Sequence, residues 1–169
     1  MPPVISFIGW HNSGKTTLAR QVVAHLKGKG YTVAVIKSTK ESGLVLDQPH
    51  TDTALYKAAG ADSVALLAPD QLIVQSKPPG LDLLALAQSL FPDADIVIAE
   101  GFKYAVDIPK IEVKRDSEAP LLRDRVEGVI AVATDLQLTG GLRFRLDQSR
   151  EIADLIVARF LATATQPES

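Results

Sequence analysis

Apolar and polar positions fall into short blocks with two different periods along this chain. Val4-Ile5-Ser6-Phe7-Ile8 is a nearly continuous apolar run, the pattern of a buried strand, and Thr17 to Leu26 carries apolar residues at helical spacing. That helix ends at Lys27-Gly28-Lys29-Gly30, with lysines in its last turn and glycine for the cap. Thr32 to Lys37 is a second apolar strand, so the first two strands and the helix between them form a crossover unit with parallel strands. Ser38 to Thr51 is polar and irregular, with Gly43 and Pro49, and follows a strand's C-terminal end. Asp52 opens a short helix over Thr53 to Ala59, which Gly60 stops. Ser63 to Ala68 and Gln71 to Gln75 flank Pro69-Asp70 and predict a hairpin that gives the sheet an antiparallel part.

The second half continues the alternation. Leu81 to Leu90 is a leucine-rich helix closed by Pro92, and Asp95 to Ala99 is a buried strand followed by Glu100-Gly101-Phe102-Lys103. Ile108 to Lys114 alternates apolar and charged residues, which predicts a half-exposed strand near a sheet edge. Arg115 to Arg125 is a charged connection; Gly128 to Ala133 is a buried strand that ends in Thr134-Asp135. Leu142 to Leu146 predicts a short strand. Asp147 is the candidate N-cap of a closing helix with Ile152, Leu155, Ile156, Phe160 and Leu161 on its apolar face. There is no internal repeat, and a single domain is expected over residues 1–162, with a polar, frayed tail over 163–169.

Composition narrows the function. The 169 residues suffice for one domain with a real core, and 46% hydrophobic with 22% charged residues is ordinary for a globular protein. A formal net charge of −2 argues against a nucleic-acid-wrapping role. The chain has no cysteine, no signal-peptide pattern at its N-terminus and no apolar run near the ~20 residues that span a bilayer, so no membrane association and a cytoplasmic location are expected.

The strongest chemical signal is Gly9-Trp10-His11-Asn12-Ser13-Gly14-Lys15-Thr16-Thr17, which fits G-x-x-x-x-G-K-[ST] between the first strand and the first helix. The glycines let successive N–H groups turn inward around an anion. Lys15 brings charge to the β- and γ-phosphates, and the Thr16 hydroxyl is placed for Mg²⁺. The helix N-terminus adds free donors and the positive end of its dipole. The fold expected from this unit is α/β: a P-loop NTPase-like three-layer sandwich with a mostly parallel sheet and an antiparallel hairpin extension.

Other positions are less specific. Glu100 is the first candidate to hold Mg²⁺ or its waters, because it ends a strand expected beside the P-loop strand; the alternative is an exposed strand-end glutamate. Asp52 is a second candidate for the metal or a plain helix cap. Asp135 could accept from the N1 and N2 donors of guanine, or be a turn aspartate. Arg123 and Arg125 could form a lid over phosphate or a solvated loop. His11, His25 and His50 have no metal-ligand spacing, and no Ser-His-Asp set can be assembled.

Together with Lys37, Thr51-Asp52-Thr53, Lys57-Ala58-Ala59-Gly60-Ala61, Glu100-Gly101-Phe102-Lys103 and Pro109-Lys110-Ile111-Glu112-Val113, the P-loop resembles the MobB family of molybdopterin-guanine dinucleotide biosynthesis adaptors, from Val4 to about Asp135. The resemblance implies a homodimeric GTP-binding protein with weak GTPase activity. It would assist a molybdopterin guanylyltransferase or the maturation of molybdoenzymes. Nucleotide contacts then map to Gly9 through Thr17, including His11, Asn12, Ser13 and Gly14, and the acidic positions to Asp52 and Glu100. One departure stands out: the family's histidine-rich run after the second strand reads Lys37-Ser38-Thr39-Lys40-Glu41-Ser42 here. Competing readings are a P-loop small-molecule kinase or an ATP-dependent ligase resembling dethiobiotin synthetase, and a regulatory module without turnover.

Overall fold

The computed structural model describes residues 1–44 and 51–161. His50, the end of the irregular Ser38–His50 stretch and the expected frayed tail over 163–169 lie outside the described residues. The chain divides into two compact units, one of residues 1–39 with those from 82 onward, the other within residues 40–81.

The larger unit is built on a six-stranded sheet of β1 (Val4–Ile8), β2 (Val33–Lys37), β5 (Ile96–Glu100), β6 (Lys110–Val113), β7 (Val129–Ala133) and β8 (Arg143–Phe144), in the order β2-β5-β1-β6-β7-β8. Every neighbouring pair is parallel. Helix α1 (Lys15–Gly28) joins β1 to β2, which are parallel as expected but separated by β5. On one sheet face Phe7, Ile98, Ile111 and Val113 pack with Leu18, Val22 and Leu26 of α1 and with Ile152 and Ile156 of α4 (Ser149–Ile156). On the other, Val4, Val97 and Ala99 pack with Leu83 and Ala87 of α3 (Leu83–Leu90). Two helical layers around one sheet make the three-layer sandwich. Asp82, not Leu81, begins α3: its carboxylate accepts from the Ala85 N–H at 2.8 Å.

Two expectations in this unit fail for physical reasons. Strand β6 is not a half-exposed edge; it lies between β1 and β7 with all four residues buried. Its charged side chains are satisfied by backbone groups. The Lys110 ammonium donates to the carbonyls of Ala105, Ile108 and Glu127 at 2.7, 3.1 and 2.9 Å. The Glu112 carboxylate accepts from the Leu122 and Arg123 N–H groups at 2.8 and 2.9 Å. Burial pushes the Lys110 pKa down, against the nearby charges of Glu127 and Asp107. The alternation thus records a loop-binding face, not a wet one. Asp147 does not cap α4; Gln148 occupies that position without a side-chain bond to the helix, its Oε1 accepting from the Arg145 N–H instead, and Asp147 pairs with Arg145. The α4 helix continues into a π-helical turn over Val157–Leu161, with Leu161 in the core.

The smaller unit holds α2 (Asp52–Ala58) and an antiparallel pair, β3 (Ser63–Leu67) with β4 (Leu72–Ser76). The hairpin forms as expected, but as its own two-stranded sheet and not as part of the main one. Thr51 caps α2, with its hydroxyl accepting from the Ala54 N–H at 3.3 Å. Asp52 therefore sits in the first turn of a helix that another residue caps.

Candidate functional site: the P-loop at the C-terminal ends of β1, β5 and β6

The sheet order places the site. From β1 the chain steps to one side for β5 and β2 and to the other for β6, β7 and β8, so a crevice opens at the carboxyl ends of the strands where the direction reverses. The P-loop leaves β1 at that point. Its backbone is tight: a Cβ on Gly9 would lie 2.4 Å from the Val113 carbonyl oxygen and 2.5 Å from Ser13 Oγ. Asn12 takes a left-handed conformation at φ 58°, and Gly14 at φ 93° turns the chain into α1.

The start of α1 is prepared for an anion. Thr51 and Asp82 give α2 and α3 side-chain caps, but Gly14 gives α1 none, and the first turn of α1 has no acidic residue. Its first N–H groups keep their donors for another partner. Ser13 Oγ is buried with no hydrogen-bond partner beside them. Lys15 Nζ curls back over the loop and donates to the Gly9 and Trp10 carbonyls at 3.1 and 2.7 Å. Desolvation pushes the Lys15 pKa down; Glu100 opposes that shift, and Lys37 and Lys103 add to it. An incoming phosphate would relieve this crowding of cations.

Glu100 pairs in register with Phe7 of β1 and with Lys37 of β2, which carries its carboxylate to the loop. Oε1 of Glu100 accepts from the Thr16 hydroxyl at 2.8 Å and lies 3.2 Å from Lys37 Nζ. The Lys37 ammonium also reaches Thr16 Oγ1 at 3.4 Å. A hydroxyl and a carboxylate touching at the mouth of a P-loop suit Mg²⁺, a hard cation that takes oxygen ligands and keeps several waters. The glycine after Glu100 is fixed by space: with φ at 98°, a Cβ on Gly101 would lie 2.2 Å from Ser38 Oγ. Ser6 then binds the Gly101 carbonyl from below at 2.7 Å.

The structure brings together Gly9, Ser13, Gly14, Lys15, Thr16 and Glu100. His11 and Asn12 are exposed at the crown of the loop, and Thr17 lies on the first turn of α1. Asp135 follows β7 and takes one backbone bond, from the Leu146 N–H at 3.1 Å. It lines an open recess of about 910 Å³ with Thr17, Gln21, Arg115 and Leu146. Asp52 belongs to the smaller unit. Arg123 is not a lid: its guanidinium donates to the Gly140 and Thr139 carbonyls at 2.8 and 2.7 Å and ties down the loop after β7.

Sequence reasoning leaves out three cations. Lys37 is legible as the last residue of the strand preceding the irregular stretch. Lys103 is held by aromatic faces, 4.7 Å from the Trp10 ring centroid and 5.0 Å from that of Tyr104. Arg115, just beyond β6, lies against Gly14. Each follows a strand's carboxyl end, the one signal that could have found them.

Comparison with known proteins agrees with this geometry. A family model described as "MobB: Molybdopterin guanine dinucleotide synthesis protein B" matches residues 4–135. The molybdopterin-guanine dinucleotide biosynthesis adapter protein of Escherichia coli (strain K12) is 32% identical over 146 residues, 82% of this chain and 81% of the relative. The adapter protein of the same description from Haemophilus influenzae is 34% identical over 159 residues, 91% and 87% of the two chains. A crystal structure of molybdopterin-guanine biosynthesis protein B superposes with a TM-score of 0.73 at 28% identity, covering 92% of this chain and 98% of the other. A P-loop on a parallel sheet is common to many proteins, but the matched span also contains the Glu-Gly-Phe-Lys corner and the buried Pro-Lys-Ile-Glu-Val strand, and on this evidence the chain belongs to the MobB family.

Proposed function

We propose that this protein is a GTP-binding adapter of molybdopterin-guanine dinucleotide biosynthesis; the adapter role is the one for which its relatives are named. The observation that carries the nucleotide reading is the uncapped N-terminus of α1, with Lys15 folded over the loop and Thr16 bonded to Glu100. In this reading the N–H groups of Gly14 to Thr17 and Lys15 hold the phosphates. Thr16 and Glu100 hold Mg²⁺ or its waters, Lys37 balances the carboxylate, and Asp135 reads guanine from the recess beside Thr17. Asp52, in the first turn of α2 in the smaller unit, is the second acidic candidate for the metal.

Among the described residues of the site, no general base is paired with an acceptor pocket, which favours a bound state used as a signal. Slow hydrolysis is expected from the isolated protein, with a guanylyltransferase or molybdoenzyme maturation protein as its partner. Strand β6 is internal and offers no edge to a second copy; a homodimer would use the smaller unit, where Leu67, Leu72 and Val74 are exposed.

A turnover assay on purified protein, alone and with a molybdopterin guanylyltransferase, tests the role. Slow GTP hydrolysis alone, with ATP a poor substitute, is the expected result; fast hydrolysis alone or phosphorylation of a small metabolite would overturn it. Glu100→Gln should weaken Mg²⁺-dependent GTP binding more than metal-free GDP binding. Equal losses would reduce Glu100 to a packing role.

A further inference from the structure

We infer that Arg115 is a phosphate-binding residue, gripping the α- and β-phosphates of the nucleotide from the side of the P-loop opposite Glu100; this rests on the nucleotide reading above. Strand β1 lies between β5 and β6, so the chain leaving each neighbour flanks the loop on one side. The β5 side supplies Glu100. The β6 side supplies Arg115, two residues beyond Val113. A Cβ placed on Gly14 would lie 3.2 Å from Arg115 Nη2 and 3.7 Å from its Cζ, so the guanidinium rests against the residue that starts α1.

Electrostatics make this an odd place for a cation without an anion. The guanidinium meets the positive end of the α1 dipole, in a loop that already holds Lys15. Among the described residues its side chain has no hydrogen bond or ion pair, whereas Arg123, Arg143 and Arg145 all donate to neighbours. A planar fork of donors suits two phosphate oxygens at once.

The backbone around Arg115 is held in advance. Lys114 is buried, and its ammonium donates to the carbonyls of Asp116, at 2.6 Å, and Ala119. Glu112 holds Leu122 and Arg123, and the Trp10 indole N–H donates to the Pro120 carbonyl at 2.8 Å. The charged strand β6 therefore fastens the connection that carries Arg115 to the loop it serves. Thr16, Glu100 and Lys37 gather on the far side, where the metal and γ-phosphate belong. Arg115 instead lines both the small recess of about 200 Å³ beside His11, Asn12 and Ser13 and the larger one leading past Thr17 to Asp135. That position favours the diphosphate shared by GDP and GTP.

The test titrates fluorescent GDP and GTP analogues into the wild type, Arg115→Ala, Arg115→Lys and Lys15→Ala, with thermal melts to establish that each variant is folded. Arg115→Ala should weaken GDP and GTP by the same factor, about tenfold or more. It should also flatten the salt dependence of binding, and lysine should restore only part of the loss. Unchanged GDP affinity, or a loss confined to GTP, would overturn the assignment. If Lys15→Ala abolishes binding and Arg115→Ala leaves GDP affinity unchanged, this inference alone fails. If the wild type binds neither nucleotide, the phosphate reading falls with it.

Discussion

The two compact units treat similar sequence in opposite ways. Val4-Ile5-Ser6-Phe7-Ile8 in β1 is buried at every position, and Phe7 is 0% exposed. Leu67, Leu72 and Val74 in the β3–β4 hairpin are 80, 62 and 57% exposed. Both stretches are rich in β-forming apolar residues, and both are strands. They differ in cover. The six-stranded sheet has α1 and α4 on one face and α3 on the other, whereas α2 in the smaller unit buries none of its residues. An apolar run therefore specifies extended backbone; the neighbouring layers decide whether it becomes core.

The contrast can be broken at its strongest point. Phe7→Ala in β1 should lower unfolding free energy by about 4 kcal/mol, the cost of deleting a fully buried ring, and urea denaturation would measure it. A loss below about 1 kcal/mol would mean that this core is looser than its burial indicates. Glu112→Ala should cost about 3 kcal/mol, because it strands the Leu122 and Arg123 N–H groups that the carboxylate now satisfies. At the weak end, Leu67→Ser should shift the stability of dilute protein by less than about 0.5 kcal/mol. Its effect should appear in sedimentation, as loss of the dimer proposed above. If dilute protein is strongly destabilised instead, Leu67 belongs to a core and the contrast between the units is false.

These examples also mark what the sequence could convey. The P-loop was legible because its spacing encodes a local backbone shape, and Glu100 because a buried strand led up to it. The parallel sheet followed from helices alternating with apolar strands. Strand β6 was misread because periodicity reports which side chains share a face, not what covers that face. Lys110, Glu112 and Lys114 are charged and buried, since the carbonyls and N–H groups of the loops around them satisfy them. Asp147 was misread as a cap because Arg145, two residues before it, takes its carboxylate. The place of Arg115 just beyond a strand is its one local signal; its meaning comes from β6 lying beside β1, a fact of topology.

In the proposed nucleotide site, Lys15 and the open N-terminus of α1 hold the phosphates of GTP. Calorimetric titration of GTP with Mg²⁺ into the wild type and Lys15→Ala tests it most directly. Lys15 is charged, near the surface and absent from both apolar clusters, so the variant should melt like the wild type. Saturable binding of GTP to the wild type, much weaker binding of ATP, and almost no binding to Lys15→Ala are expected. A folded Lys15→Ala protein that binds GTP as tightly as the wild type would contradict this role of Lys15.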